Sequence, residues 1–368
     1  MKHLHIDPGR FRYQAMIGTG GIGTGRFFRA NGNRTLGREE SRSGRFLKRK
    51  DYCKLHIVSH YVQTLLGPSF RTIPIGMVGG DYAGKDLREE MAEAGMDMRS
   101  VTTLRGAETL FSFCVVYPDG SGGNLTTDDS ASSRVDRDLI DGALKSFERY
   151  RGKGIALAVP EVPLDARLRL LEHGRAHDFF CAGSFTSREI ESVLSGRVLG
   201  MVDLLALNLD EARMVGANRG EARRVGGAGE DEQAVKSAVE ALGRFNPNIL
   251  VTVTAGRNGS WAWDGGLSYR PAVRTRTVST AGAGDAFLAG VLAGLTAGLG
   301  LPDAQELGTL IASLSVTSPH TIHKSIDREA LSDFARREGA GLSENVASLL
   351  RGEDREADRA ADGSGAGS

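Results

Sequence analysis

Short apolar runs that alternate with helical stretches restrict the fold of this 368-residue chain more than any other feature. Runs of this length suit strands that are buried on both faces of a sheet. The candidate strands are residues 14–17, 72–78, 155–159, 178–181, 204–207 and 249–254. Because parallel strands are joined by crossover helices, the alternation predicts an α/β fold with a central, mostly parallel sheet and helices on both faces.

Three of the intervening helices have clear limits. The segment 56–66 ends at Gly67 and the segment 85–94 ends at Gly95, where glycine commonly terminates a helix. A third helix begins near Pro302 and places an apolar stripe on one face. These helices supply the layers that the sheet needs.

Two segments depart from the alternation. Residues 109–116 are rich in aromatic and β-branched side chains and lead into a turn at 118–123, which predicts a β-hairpin outside the main sheet. Residues 31–50 are polar and arginine-rich and lack periodicity. We interpret them as a solvated loop or lid strand that could attract an anionic substrate, with a nucleic-acid patch as the alternative.

The composition favours small-molecule chemistry. Lys plus Arg and Asp plus Glu both number 46, so the net charge gives no reason to expect nucleic acid or an anionic membrane as a partner. The three widely spaced cysteines have neither disulfide-framework nor zinc-site spacing. Residues 1–12 contain no signal-peptide core, and the apolar run 286–301 is too short to span a bilayer. A cytoplasmic protein is expected.

The sequence predicts one folded domain followed by a tail. Residues 1–342 are predicted to form one folded domain, with a lid from parts of 22–50 and 100–125. From residue 343 the chain turns acidic and ends in a Gly/Ser stretch, which predicts a disordered tail over 343–368.

A glycine-rich turn, Gly282-Ala283-Gly284, opens the long apolar helix and is followed by Asp285. Small residues leave the amide groups of the turn uncovered, and the helix dipole adds positive charge there, so the turn predicts an anion hole. A carboxylate beside it suits a base that takes a proton from a nucleophile during phosphoryl transfer. A simple capping role for Asp285 is the alternative.

The segment 280–290, TAGAGDAFLAG, resembles the signature of the phosphofructokinase-B or ribokinase family of carbohydrate and nucleoside kinases. Segments 75–84, 208–211 and 253–260 are similar to other motifs of that family and occur in the same order. On this resemblance residues 12–335 are identified as a member, with a ribokinase-like fold and a small β lid.

The resemblance implies an ATP-dependent, Mg²⁺-requiring kinase that phosphorylates a small molecule with a free hydroxyl. Asp285 would be the base, and the amides of Gly282, Ala283 and Gly284 would hold the γ-phosphate. Glu211 would organise Mg²⁺ through water. The residues that would lie near the nucleotide are Asn208, Thr254, Gly256, Gly259 and Ser313. A homodimer through the lid is also expected.

The chain departs from the family at its sugar-binding positions. The region 18–24 lacks the aspartate that follows the first strand, and 52–60 lacks the glycine pair and asparagine. Ser279 replaces an aspartate of the potassium site, so potassium activation is not expected. The available replacements are His56, His60, Glu39, Glu40 and Arg42. We expect a polar acceptor that could carry an anionic group and that is bound partly by the basic segment 34–50, with Arg42 or Arg45 in contact.

Two other functions compete. The spacing of the dinucleotide-binding fingerprint, G-x-G-x-x-G, occurs at Gly18, Gly20 and Gly23 and would indicate an NAD-dependent oxidoreductase. However, no helical pattern follows Gly23. A non-catalytic nucleotide-binding or regulatory protein would also explain the missing sugar-binding positions. Asp285 and Glu211 argue against it, because a binding module needs no base beside an anion hole.

Overall fold

The computed structural model describes residues 1–119, 122–194, 198–217 and 228–351. Within these ranges the strands are β1 (Ala15–Thr19), β2 (Gly23–Ala30), β3 (Gly44–Phe46), β4 (Asp51–Tyr52), β5 (Arg71–Gly79), β6 (Val101–Leu104), β7 (Leu110–Val116), β8 (Gly122–Thr126), β9 (Gly154–Ala158), β10 (Phe180–Ser184), β11 (Leu204–Asn208), β12 (Leu250–Thr254), β13 (Ser260–Trp263) and β14 (Leu267–Arg270).

The α-helices of the same ranges are α1 (Lys54–Leu66), α2 (Tyr82–Glu93), α3 (Arg137–Asp141), α4 (Leu144–Arg149), α5 (Leu164–Ala176), α6 (Ile190–Leu194), α7 (Leu209–Gly216), α8 (Ala228–Gly243), α9 (Ala283–Thr296), α10 (Leu301–Ser315), α11 (Arg328–Arg337) and α12 (Glu344–Leu350).

The main sheet has the strand order β14-β13-β12-β11-β10-β9-β1-β5-β6. The strands from β12 to β6 run parallel, and β13 and β14 add an antiparallel edge. The predicted α/β fold with a mostly parallel sheet is therefore confirmed. The predicted strand 178–181 begins later, at Phe180, because Asp178 has a φ of 57° in the left-handed region, which a strand cannot include.

Two apolar clusters cover the two faces of this sheet. On β1, Met16 belongs to the cluster that contains α1, α9 and α10, whereas its neighbour Ile17 belongs to the cluster that contains α5 and α8. This alternation follows from the two-residue period of a strand. Helices on both faces were predicted and are observed.

Helix α9 is buried because it packs closely on α10. A β-carbon placed on Gly290 would lie 2.6 Å from the α-carbon of Gly308, so the two backbones approach too closely for any larger residue. The four-residue glycine spacing of α9 therefore serves helix packing inside the fold. Within the described ranges, none of the helices has both the length and the apolar character needed to cross a membrane.

Strands β2, β3, β4, β7 and β8 form a second, smaller sheet, which we call the lid sheet. The predicted hairpin is confirmed, since β7 pairs with β8 in antiparallel register. Strand β2 lies parallel to β7 and antiparallel to β3 and β4. The arginine-rich segment thus supplies a lid strand and the loops around it.

The predicted tail is wrong over its first residues. Helix α12 follows an N-cap at Ser343, and the side chains of Val346, Leu349 and Leu350 are buried in the main core. These three residues have the i, i+3, i+4 spacing of one helical face, which the acidic and Gly/Ser composition of the segment obscured. The rest of the predicted tail, 352–368, lies outside the described residues.

Candidate active site

The candidate site lies at the carboxyl ends of the parallel strands, where α/β sheets usually bind ligands. The first turn of α9 projects into this region. Three neighbouring cavities meet there, and we name them by position as the β12 cavity, the β11 cavity and the lid cavity. Asp285 borders the last two, while Ala283 and Gly284 border the first.

Gly282 caps the N-terminus of α9 in a conformation that suits glycine. Its φ is 79°, in the left-handed region, and its carbonyl oxygen accepts a hydrogen bond of 2.9 Å from the amide of Ala286. The amide of Ala283, expected in the anion hole, donates instead to the carbonyl of Thr280 at 3.3 Å. Among the described residues, the amides of Gly284 and Asp285 have no acceptor and lie in the first helical turn, where the dipole is positive.

The β12 cavity has a volume of about 410 Å³ and contains four of the residues expected at the nucleotide. These are Thr254, Gly256, Gly259 and Ser313. The side chains of Val273, Phe287, Ala312 and Val316 supply an apolar wall. An apolar slot that ends at a helix N-terminus matches the two parts of a nucleotide, an aromatic base and anionic phosphates.

The β11 cavity is small, about 110 Å³, and brings Asn208, Glu211 and Asp285 together. Asn208 and Glu211 form a capping box: the side-chain oxygen of Asn208 accepts from the amide of Glu211 at 2.8 Å, and Glu211 Oε2 accepts from the amide of Asn208 at 2.9 Å. Burial raises the pKa of Glu211 above its ordinary value. The capping bond uses one carboxylate oxygen, which leaves the other for a cation.

The lid cavity, about 670 Å³, lies between the lid sheet and the first turn of α9. Its polar and charged lining includes Arg29, Arg49, Asp51, Asn124 and Asp285. Asp51 is buried, which raises its pKa, and it accepts a hydrogen bond from the thiol of Cys114 at 3.3 Å.

The replacements expected for the missing sugar-binding positions do not line this cavity. His56 and His60 are buried in α1, and burial lowers their pKa values to about 3 and about 4, so both rings are neutral at pH 7. Arg42 forms an ion pair with Glu40 at 2.9 Å. Neither Arg42 nor Arg45 lines the lid cavity, whereas Arg29 and Arg49, the latter from the same basic segment, do. A contact of Arg42 or Arg45 with the acceptor stays a prediction.

Lys54, at the start of α1, is the cation nearest the expected base. Its Nζ lies 3.3 Å from Asp285 Oδ1, and the Asp285 charge raises the pKa of Lys54 against the effect of burial. Its backbone amide donates to Glu161 Oε2 at 3.1 Å. Burial raises the pKa of Glu161 to about 7, and the positive charge of Lys54 opposes that rise. Lys54, Glu161 and Asp285 therefore form one charged network.

A family-level sequence profile described as pfkB family carbohydrate kinase matches residues 58–328. The match spans most of the chain and includes the signature at 280–290. The chain belongs to the pfkB family of carbohydrate kinases. It is therefore an ATP-dependent carbohydrate kinase, as the sequence predicted.

Similar proteins agree with this assignment. The chain is 26% identical over 247 residues to a fructoselysine 6-kinase from Shigella flexneri, covering 66% of this chain and 81% of that protein. It is 26% identical over 262 residues to an adenosine kinase from Saccharomyces cerevisiae, covering 67% and 72%. A ribokinase structure from Cryptococcus neoformans in complex with ADP superimposes with a TM-score of 0.71 at 17% identity, covering 88% of this chain and 99% of that one.

The glycines of the dinucleotide fingerprint have another role in this pfkB-family kinase. Gly23 begins strand β2 and not a helix, so the oxidoreductase alternative is wrong. The amide of Gly21 donates to the carbonyl of Pro160 at 3.0 Å, and a β-carbon on Gly21 would lie 2.5 Å from that of Glu161. Because Gly21 has no β-carbon, the glycine-rich segment leaves space for the loop that carries Glu161.

The sequence reasoning missed Lys54, Glu161 and Asp51, although Glu161 has a positional signal. Glu161 follows β9, one of the parallel strands whose carboxyl ends meet at the site. Its φ of 78° is unusual for a residue other than glycine. Lys54 begins a helix that was predicted to start two residues later.

Glu161 should give the kinase a pH-dependent stability. Its pKa of about 7 in the folded chain exceeds the ordinary value of 4.5, so folding favours the protonated carboxyl. The free energy of unfolding should fall by roughly 3 kcal/mol as pH rises from 4.5 to about 7. Glu161→Gln should remove this loss, so the variant gains stability relative to wild type between pH 5 and 8. Urea unfolding at each pH measures the difference.

The exposed Glu191→Gln is the matched control and should unfold in parallel with wild type at every pH. If Glu161→Gln also remains parallel to wild type, the carboxyl of Glu161 is ionised throughout this range and the argument fails.

Proposed function

We propose that this kinase transfers the γ-phosphate of ATP to a hydroxyl group of a sugar-like or nucleoside-like molecule, with Asp285 as the general base. The observation that carries the proposal is the position of the first turn of α9. It reaches the β12 cavity, suited to a nucleotide, and the lid cavity, suited to an acceptor. A group between the two cavities would meet both Asp285 and the amides of the turn.

The residues divide the work as follows. The carboxylate of Asp285 takes the proton of the acceptor hydroxyl as the hydroxyl oxygen attacks the γ-phosphorus. The bond from the γ-phosphorus to the β–γ bridging oxygen breaks, and ADP leaves with that oxygen. The amides of Gly284 and Asp285 and the helix dipole stabilise the negative charge on the transferred phosphoryl group. Asp285 alone would repel that group. The ammonium of Lys54, 3.3 Å from Asp285 Oδ1, offsets this repulsion.

The donor set of the β11 cavity fits Mg²⁺. This ion prefers oxygen ligands, keeps several waters and is commonly held by one or two carboxylates together with phosphate oxygens. Glu211 has one carboxylate oxygen outside its capping bond, and Asp285 borders the same cavity. When bound, Mg²⁺ neutralises charge on the phosphates. No cluster of three His, Cys, Asp or Glu residues suited to a metal occurs in the described ranges, which is consistent with a site completed by phosphates and water.

The similar proteins guide the choice of acceptors. One is named for phosphorylating fructoselysine and another for phosphorylating adenosine. The acceptor screen should therefore combine sugars, fructoselysine and nucleosides with ATP and Mg²⁺, and should detect the phosphorylated product by mass spectrometry. Transfer to a hydroxyl of at least one acceptor is expected. Wild-type protein that binds ATP but phosphorylates none of them would favour the non-catalytic alternative.

Replacing Glu211 should weaken the use of Mg²⁺ without unfolding α7. Glu211→Gln keeps an oxygen that can accept the capping bond but removes the charge, so the Mg²⁺ concentration for half-maximal activity should rise at least 10-fold. Glu211→Ala should also lose about 1 kcal/mol from the cap. Titrations of activity with Mg²⁺ and thermal unfolding measure the two effects.

Asp210→Asn is the matched control, because Asp210 is adjacent and has an 86% exposed side chain. It should leave the Mg²⁺ requirement unchanged. A normal Mg²⁺ requirement in Glu211→Gln would show that this carboxylate does not organise the metal.

The expected homodimer stays a prediction. The outer face of the lid sheet carries a cluster of Phe28, Phe46 and Phe113, with Phe46 47% exposed. Exposed aromatic residues on a lid support association through that face. Light scattering of the purified chain would measure its mass in solution.

A further inference from the structure

We propose that Arg29 and Arg49 form an anion subsite in the lid cavity, which binds a phosphate or carboxylate group carried by the acceptor. The inference rests on the proposed function, because it assigns the lid cavity to the acceptor. It narrows the acceptor class to hydroxylated molecules that carry an anionic group away from the reacting hydroxyl.

The first observation is that neither guanidinium has an ion-pair or hydrogen-bond partner within the described ranges. Both arginines line the lid cavity. Within the described ranges neither forms an ion pair or a side-chain hydrogen bond, whereas Arg42 in the same segment is paired with Glu40. The guanidinium carbon of Arg49 lies over the Phe27 ring, 6.0 Å from its centroid. This contact does not use the N–H groups of Arg49 as hydrogen-bond donors. Two unpaired guanidinium groups in one cavity form a site for an anion.

The mutual repulsion of the two charges supports this interpretation. Partial burial lowers the pKa of Arg49, and the charge of Arg29 lowers it further. Arg29 is therefore close enough for its charge to disfavour the charged form of Arg49. An anion between them would remove this repulsion and would accept hydrogen bonds from both.

The second observation is their position relative to Asp51. Strand register places Asp51 opposite Gly25 and places Arg29 four residues further along β2. At the usual rise per residue this separation is about 13 Å along the strand. Asn124 lies between these positions, since it pairs with Cys114, which in turn pairs with Phe27.

The lid cavity is therefore graded in charge. Along β2, Asp51 lies at one end with Asp285 close enough for the two charges to interact, and the amide of Asn124 lies between. Arg29 lies at the other end, with Arg49 within reach of its charge. Carboxylates and amides are suitable partners for the hydroxyl groups of a sugar. An acceptor that places a hydroxyl at Asp285 would extend its far end toward the arginines.

The phosphates of ATP are not the group that binds to Arg29 and Arg49. The β12 cavity does not include Arg29 or Arg49 and has its own basic residues, Arg257 and Arg274. The β12 cavity reaches the first turn of α9 at Ala283 and Gly284, whereas the lid cavity reaches it at Asp285. The subsite under the lid sheet therefore belongs to the acceptor.

The test compares matched neutral and anionic probes. Ribose with ribose 5-phosphate tests a phosphate group, and glucose with gluconate tests a carboxylate. Dissociation constants are measured by calorimetry with and without a non-hydrolysable ATP analogue, and kcat/KM is measured wherever transfer occurs. We expect the anionic member of at least one pair to bind at least 10-fold more tightly, and the pair that shows this identifies the anion.

The variants Arg29→Gln and Arg49→Gln should each reduce that preference at least 10-fold and leave the neutral probes and the ATP analogue unaffected. Arg26→Gln is the matched control, because Arg26 lies on the same strand but stacks on Phe46 at the outer face. It should retain the preference. All variants should keep the wild-type melting temperature within a few degrees.

Two results would overturn the subsite: no anionic preference in either pair, or a preference that survives in the Arg29→Gln/Arg49→Gln double variant. Binding without nucleotide separates this question from the proposed function. If anionic probes bind through the two arginines but no phosphate is transferred, the proposed function fails while the subsite stands. If neutral probes are phosphorylated and anionic probes bind no more tightly than neutral ones, the subsite fails while the proposed function stands.

Discussion

The variant Asp285→Asn is expected to reduce kcat by about 10²–10⁴-fold, the usual contribution of a positioned general base. A hydroxyl is a weak nucleophile at neutral pH, and asparagine cannot accept its proton. Because Asp285 borders the acceptor side and not the base-binding part of the β12 cavity, nucleotide affinity should stay within a few fold. Steady-state kinetics and ATP-analogue binding on the same preparation measure both quantities.

The structure sharpens this prediction through Lys54. With Asp285 removed, Lys54 loses the carboxylate 3.3 Å away, and more of its positive charge is then available to the phosphates. The affinity of Asp285→Asn for the ATP analogue should therefore rise slightly. Lys54→Met should have the opposite effect, a weaker affinity together with a lower kcat, because the unscreened carboxylate repels the phosphates.

A capping role for Asp285 predicts a different result, and α10 supplies the control. Asp303 is the third residue of α10, as Asp285 is the third residue of α9. A carboxylate at that position interacts favourably with the helix dipole, typically by about 0.3–1 kcal/mol. If Asp285 has only this role, Asp285→Asn and Asp303→Asn should lose similar small amounts of stability, and both should keep a near-normal kcat.

The main sheet could be predicted because its signal is local. Each parallel strand is an apolar run, and each helix limit is set by nearby residues such as Gly67 and Gly95. The motif at Asp285 could be interpreted for the same reason, since the glycine-rich turn and the helix are contiguous. Helix α12 was missed because residues 343–368 were judged by their overall composition. That composition hides the helical spacing of the three buried apolar residues.

The surroundings of Asp285 could not be predicted, because they depend on distant contacts. Lys54 and Asp285 are separated by 231 positions in the sequence. The lid cavity depends on strand register, since a shift of one residue would exchange the two faces of β2. This register puts Arg29 inside and leaves Arg26 outside, whereas the sequence shows only a row of basic residues.

Two glycines of the α9 turn should respond to alanine in different ways. Gly282→Ala should destabilise the fold and reduce activity together. At a φ of 79° an alanine costs about 1–2 kcal/mol, and its β-carbon would lie only 2.7 Å from the carbonyl oxygen of Thr321. The turn must then shift, which displaces Asp285. A displacement of about 1 Å at a reacting group can cost on the order of 10²-fold in rate.

Gly284→Ala should instead reduce activity without loss of stability. Gly284 has no positive φ, and the nearest atom to an added β-carbon is Thr254 Oγ1 at 3.9 Å, an ordinary contact. Alanine inside a helix is favoured over glycine by up to about 1 kcal/mol, so the melting temperature should stay equal or rise. The new methyl group would occupy space that the β12 and β11 cavities share, where we place the phosphates.

Thermal unfolding and kinetics on both variants distinguish the role of the turn in the fold from its role in phosphate binding. For Gly284→Ala we expect a KM for ATP at least 10-fold higher and a lower kcat, with unfolding unchanged. A Gly284→Ala enzyme with normal kinetics would mean that the phosphates do not approach this turn. Because the amides of Gly284 and Asp285 are central to the proposed transfer, that result would also remove the role assigned to them as an anion hole.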